Sequence, residues 1–92
     1  MGAQPALDDA QRGLLLSKIR DIPDWPKPGV VFKDITPLLA NHDAFSTAIS
    51  GLAAAGRGDD GSPRVDAVVG IEARGLILAA PVAYVLGASI VP

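Results

Sequence analysis

A chain of 92 residues and 9.4 kDa makes one small domain or part of one, and buries roughly 60–70 % of its unfolded surface. Hydrophobic residues make up 49 %, but 15 of them are alanine, so bulky apolar side chains are in short supply. Zero cysteines exclude a disulfide scaffold and thiol chemistry, the single His42 excludes multi-histidine metal sites, and a net charge of −2 without a basic stripe excludes sequence-independent nucleic-acid binding.

Residues 1–13 are polar and read as an irregular, flexible tail without the apolar stretch of a secretory leader. Ala6 stands where a myristoylation site needs Ser or Thr. Leu14, Leu15, Leu16 and Ile19, after Asp8 and Asp9, predict a short amphipathic helix that Pro23 ends. Pro23, Pro26 and Pro28 then make residues 21–29 extended, stiff and poor in backbone donors. Val30, Val31 and Phe32 predict a brief strand, and Thr36-Pro37 an N-cap followed by proline at the first helical position. Asp43 reads as the cap of a further helix with Phe45, Ala48, Ile49, Leu52 and Ala53 on one face. Residues 56–64 are an exposed loop. The Arg57-Gly58-Asp59 tripeptide inside it reads as chance in a chain without a secretory leader.

The last third is the best organised. Val65, Ala67, Val68, Val69 and Ile71 form a nearly continuous apolar run, the pattern of a strand buried on both faces. A helix is expected over 74–86 with Gly87 ending it, and a second strand from Ala88 to Val91. Strand, tight turn, helix and strand make a βαβ unit, hence a parallel sheet and an α/β class. Residues 75–92 carry no charge, but Pro81 and Gly87 interrupt them, so they read as a buried helix and strand rather than a membrane anchor. The cytoplasm is the default location.

Two constellations carry chemistry. The turn Gly70-Ile71-Glu72-Ala73-Arg74-Gly75 lies at the carboxyl end of a strand and the start of a helix, where open α/β sheets bind ligands. Open N–H groups and the positive helix end suit a phosphate, and Arg74 adds a planar charged fork. Glu72 replaces the second glycine of a dinucleotide fingerprint, and Leu76-Ile77 replace the Lys-Ser/Thr of a Walker loop. On these residues alone, anion binding and a plain surface pair between Arg74 and Glu72 both stay open. The second constellation is Pro28-Gly29-Val30-Val31-Phe32-Lys33-Asp34. Phe32 between valines fits a core position, yet the rigid approach and the charges after it fit a pocket rim where an aromatic ring stacks on a heterocycle.

Residues 22–39, from Ile22-Pro23-Asp24-Trp25-Pro26-Lys27-Pro28-Gly29 through Val31-Phe32-Lys33-Asp34-Ile35-Thr36-Pro37, closely resemble the N-terminal signature of the adenine phosphoribosyltransferases. Residues 65–75, ending in Gly70-Ile71-Glu72-Ala73-Arg74-Gly75, resemble that family's pyrophosphate-binding turn. The two stand in the family's order with a helix between them. The resemblance covers about residues 14–92 and makes them a truncated phosphoribosyltransferase domain, 1–13 being the tail.

That resemblance implies a partial type I phosphoribosyltransferase fold: N-terminal helices, a hood segment and the first βαβ unit of a parallel sheet. It implies purine salvage, in which adenine and phosphoribosyl pyrophosphate give AMP and pyrophosphate, with Mg²⁺ bound mainly through the donor. It also implies a cytoplasmic homodimer for the full-length enzyme, with no nucleic-acid or membrane partner. Carried over by position, Phe32 stacks on adenine, the Val31 backbone hydrogen-bonds the base edge, and Lys33 stands where the family has Arg or Lys near the base. Arg74 holds the pyrophosphate, and Glu72-Ala73 coincides with a non-proline cis peptide. The family's enzymes continue into a basic segment, a mobile loop with the catalytic carboxylate, adjacent acids for the ribose hydroxyls and a Gly/Thr-rich cradle for the 5-phosphate. Residues 1–92 contain none of these, so no catalytic residue is assigned among them and they are expected to be inactive alone. Two other readings are a non-catalytic relative that senses purine or donor, for which the residues before Pro23 are too few to form an added DNA-binding domain, and an interaction fragment that pairs with another chain.

Overall fold

The computed structural model describes residues 7–92, which fall into two compact units, Leu7–Ala48 and Ile49–Pro92. The first unit opens with helix α1, Asp9–Ser17. Its start is fixed by a capping box: Asp8 accepts a bond from the Gln11 N–H at 2.7 Å, and the Gln11 side chain accepts from the Asp8 N–H at 2.9 Å. The helix therefore begins inside the 1–13 segment expected to be irregular. It stops at Ser17, well short of Pro23, and Ile19 lies beyond it. The expectations for residues 1–6 lie outside the described residues.

Pro23 instead closes strand β1, Arg20–Pro23, which pairs antiparallel with β2, Val31–Asp34. The expected strand at residues 30–32 is thus shifted and belongs to a hairpin. The connection is closed by Asp24, whose carboxylate accepts the Gly29 N–H at 3.0 Å, and by the Trp25 N–H donating to the Val30 carbonyl at 3.1 Å. Asp24 (φ 57°) and Gly29 (φ 87°) both take left-handed backbone, which glycine and short polar residues adopt most readily. The Trp25–Pro26 bond is cis.

Helix α2, Thr36–Ala40, follows. Its N-cap is Ile35, not Thr36, because the Thr36 hydroxyl and N–H both turn back to Asp34. Helix α3, His42–Ala55, is capped by Asn41, whose side-chain oxygen accepts the Ala44 N–H at 2.9 Å. Asp43, expected as the cap, lies in the first turn, where its charge still favours the helix dipole. Ala44, Ile49, Gly51 and Ala53 are the buried positions of α3; Phe45 and Ala48 are half-buried and Leu52 is exposed, against the expected face.

The second unit contains the βαβ arrangement. Strand β3, Ala67–Val69, and strand β4, Ser89–Val91, pair in parallel, joined by α4, Arg74–Leu86. Gly87 (φ 69°) ends α4 in the left-handed cap that lacks a Cβ penalty, and the Ala88 N–H reaches back to the Ala83 carbonyl at 2.9 Å. Ala79, Val82, Ala83 and Leu86 are the buried face of α4. One expectation fails here. The run from Val65 to Ile71 is not buried on both faces: Val69, at the end of β3, is 68 % exposed and Ile71, beyond the strand, 79 %. A single neighbouring strand and one covering helix leave the rest of its surface open. No helix among the described residues is long and apolar enough to cross a membrane.

Candidate functional site

Each unit carries one of the two constellations. In the second unit, the Gly70 N–H extends the parallel ladder by donating to the Val91 carbonyl at 3.0 Å. A Cβ on Gly70 would lie 2.8 Å from the Ala79 Cβ and 2.9 Å from the Leu76 Cδ2. Only glycine lets α4 pack this closely on the turn. Ile71, Glu72 and Ala73 then project as an exposed bend whose Glu72–Ala73 peptide is cis, the geometry the resemblance implies. Helix α4 begins at Arg74 with Ala73 as an N-cap that makes no side-chain bond. The first-turn N–H groups, the positive dipole end and the exposed Arg74 guanidinium therefore share one short segment with chemistry suited to a polyanion.

In the first unit, β2 presents Val31 exposed, Phe32 half-buried and Lys33 exposed. Phe32 lies opposite Ile22 and Lys33 opposite Asp21, whose carboxylate accepts from the Lys33 Nζ at 2.6 Å. Both members of that ion pair are exposed, so it contributes little stability by itself. Asp34 is different. It is 8 % exposed and its two oxygens are fully used. One accepts the Thr36 hydroxyl at 2.6 Å and the Thr36 N–H at 3.0 Å; the other accepts the Arg20 Nε at 3.1 Å and a second Arg20 nitrogen. Sequence reading did not single out this cluster. The signal was there in the reciprocal order of charges, Arg20-Asp21 on one strand and Lys33-Asp34 on the other.

The Thr36 hydroxyl, then the Arg20 guanidinium and the Thr36 N–H, hold the Asp34 carboxyl well below the ordinary carboxylate range. A carboxylate depressed in the folded state adds stability above its unfolded pKa, near 3.9, and that stability is lost as pH falls through the folded value. Wild-type Tm should therefore drop more between about pH 5 and pH 3 than that of Asp34→Asn, which cannot titrate there. Parallel acid limbs in thermal scans of the two proteins would show that Asp34 carries no such linkage.

No family model matches the chain. It is 52 % identical over 88 residues to the adenine phosphoribosyltransferase of Nocardioides sp., covering 96 % of this chain and 45 % of that protein. The crystal structure of adenine phosphoribosyltransferase from Rhodothermus marinus superposes with a TM-score of 0.78 at 38 % identity, over 92 % of this chain and 46 % of that one. The Saccharomyces cerevisiae enzyme, solved with an imino-altritol bisphosphate and adenine, gives 0.82 at 25 % identity, over 92 % and 48 %. The chain thus spans a little under half the length of the relatives it matches. By sequence and by its α/β fold, this chain is similar to a little under half of each of these adenine phosphoribosyltransferases.

Proposed function

We propose that the full-length protein transfers the 5-phosphoribosyl group from phosphoribosyl pyrophosphate to adenine, releasing AMP and pyrophosphate in a cytoplasmic purine-salvage reaction. The observation that carries this reading is the 52 % identity to a curated relative across both constellations together. In it, the open start of α4 and Arg74 bind the pyrophosphate of the donor, the exposed Glu72-Ala73 bend lies against it, and Val31, Phe32 and Lys33 meet the base. The leaving group is polyanionic and the anomeric carbon becomes cation-like, so these residues act by positioning and charge rather than by covalent chemistry. In the same reading Mg²⁺ would be carried on the phosphate oxygens of the donor, where it would neutralise charge. A homodimer of the full-length chain belongs to the same reading.

Phe32 provides the test. In the full-length protein, Phe32→Ala should raise the adenine KM about tenfold, as loss of a ~1.5 kcal/mol stacking contact requires. A lowered Tm with an unchanged adenine KM would make Phe32 a packing residue and remove the base site from β2.

A further inference from the structure

The β1–β2 hairpin has two strands of four residues each, and a two-stranded ribbon of that size is marginal without help. Its register decides which face every side chain occupies, since a one-residue slip turns all of them over. The observed register sets Arg20 opposite Asp34 and Asp21 opposite Lys33, two cross-strand pairs of opposite charge. Either slip destroys this. Sliding β2 one way brings Arg20 opposite Lys33, and sliding it the other way brings Asp21 opposite Asp34, like charges in both cases. Asp34 also binds Thr36 through both its hydroxyl and its N–H, so the same carboxylate ties the hairpin end to the start of α2.

We propose that Arg20, Asp34 and Thr36 form a register lock that positions Val31, Phe32 and Lys33 for the base. Arg20 and Thr36 are positioning residues, acting through Asp34 and not on substrate. The proposal rests on the adenine-site reading of β2. Its physical content is that Phe32 meets a flat ring only in one register, and small misplacements at such a site are costly. The fork of Arg20 matters as much as its charge, because two of its nitrogens share one Asp34 oxygen.

The test is kinetic and uses the full-length protein. Arg20 has an exposed side chain, so Arg20→Ala should fold. It should raise the adenine KM roughly threefold to tenfold while the donor KM stays within about twofold, because only the base site is displaced. Arg20→Lys, with the charge but not the fork, should fall between wild type and alanine. Thr36→Val removes one donor to Asp34 and should move the adenine KM the same way by a smaller factor. Phe32→Ala, measured alongside, reports on the site itself. If it leaves the adenine KM unchanged, the base-site reading fails and the lock with it. If it raises that KM while Arg20→Ala does not, the site stands and the lock is overturned. Equal rises in both substrate KM values with a lowered Tm would also overturn it, since a general loss of folding does not distinguish base from donor.

Discussion

Arg74→Ala in the full-length protein is expected to lower kcat/KM for the sugar donor by roughly tenfold to a hundredfold, as loss of a charge-assisted hydrogen bond of ~1.5–3 kcal/mol implies. The expectation follows from where the residue sits. Arg74 is the first residue of α4, directly after an exposed bend and at a helix end without a side-chain cap. An anion there meets the guanidinium and the first-turn N–H groups together, with the helix held close to the turn by the absence of a side chain at Gly70. Arg74→Lys separates charge from shape. It keeps the cation and loses the bidentate fork, so it should still cost roughly tenfold, with the adenine KM little changed. Steady-state kinetics with donor varied at saturating adenine measures this directly. Wild-type donor kinetics in Arg74→Lys would show that fork geometry has no part, and in Arg74→Ala would take the residue out of the site.

What the sequence made legible divides along physical lines. The βαβ unit was readable because its signals are local and agree: apolar runs, a 13-residue helix between them, and a glycine where α4 needs a left-handed cap. The cis bend at Glu72–Ala73 is not readable from propensity, and only the resemblance placed it. The β1–β2 hairpin was missed because neither strand alternates cleanly, one ends in proline, and the pairing rests on charges fourteen residues apart. Caps were misassigned by one or two residues where several candidates compete. Asn41, not Asp43, reaches the open N–H of α3, and Thr36 spends its hydroxyl on Asp34 instead of capping α2. Burial was the weakest inference. An apolar strand such as β3 says that its faces are meant to be covered, without saying that these residues supply the cover.

That last mismatch also governs what residues 1–92 can do alone. Val69, Ile71 and Tyr84 are exposed, Tyr84 by 88 %, and an open apolar cleft of about 400 Å³ runs between the end of α3, β3 and α4 past Leu52, Val68 and Val82. Among the described residues of this second unit the buried hydrophobic side chains are Ile49, Ala53, Ala79, Val82, Ala83 and Leu86, half of them alanines, so the core that opposes this exposed surface is small. A polypeptide of residues 1–92 should accordingly be poorly soluble or loosely packed, with open strand edges that invite pairing with other chains. It should also make no AMP. Transfer from a sugar donor gains most from holding both ends of the donor in line with the base, an orientation effect worth up to ~7–11 kcal/mol in well-placed systems. Under the proposed function these residues grip the pyrophosphate end alone, and the acids for the ribose hydroxyls and the cradle for the 5-phosphate are not among them. A donor tethered at one point keeps most of its rotational freedom, and the gain is largely lost. Incubation of the purified polypeptide with adenine, phosphoribosyl pyrophosphate and Mg²⁺ should therefore yield no AMP above a protein-free control. Steady AMP formation by a preparation whose intact mass ends at Pro92 would show that this half of the site suffices for catalysis.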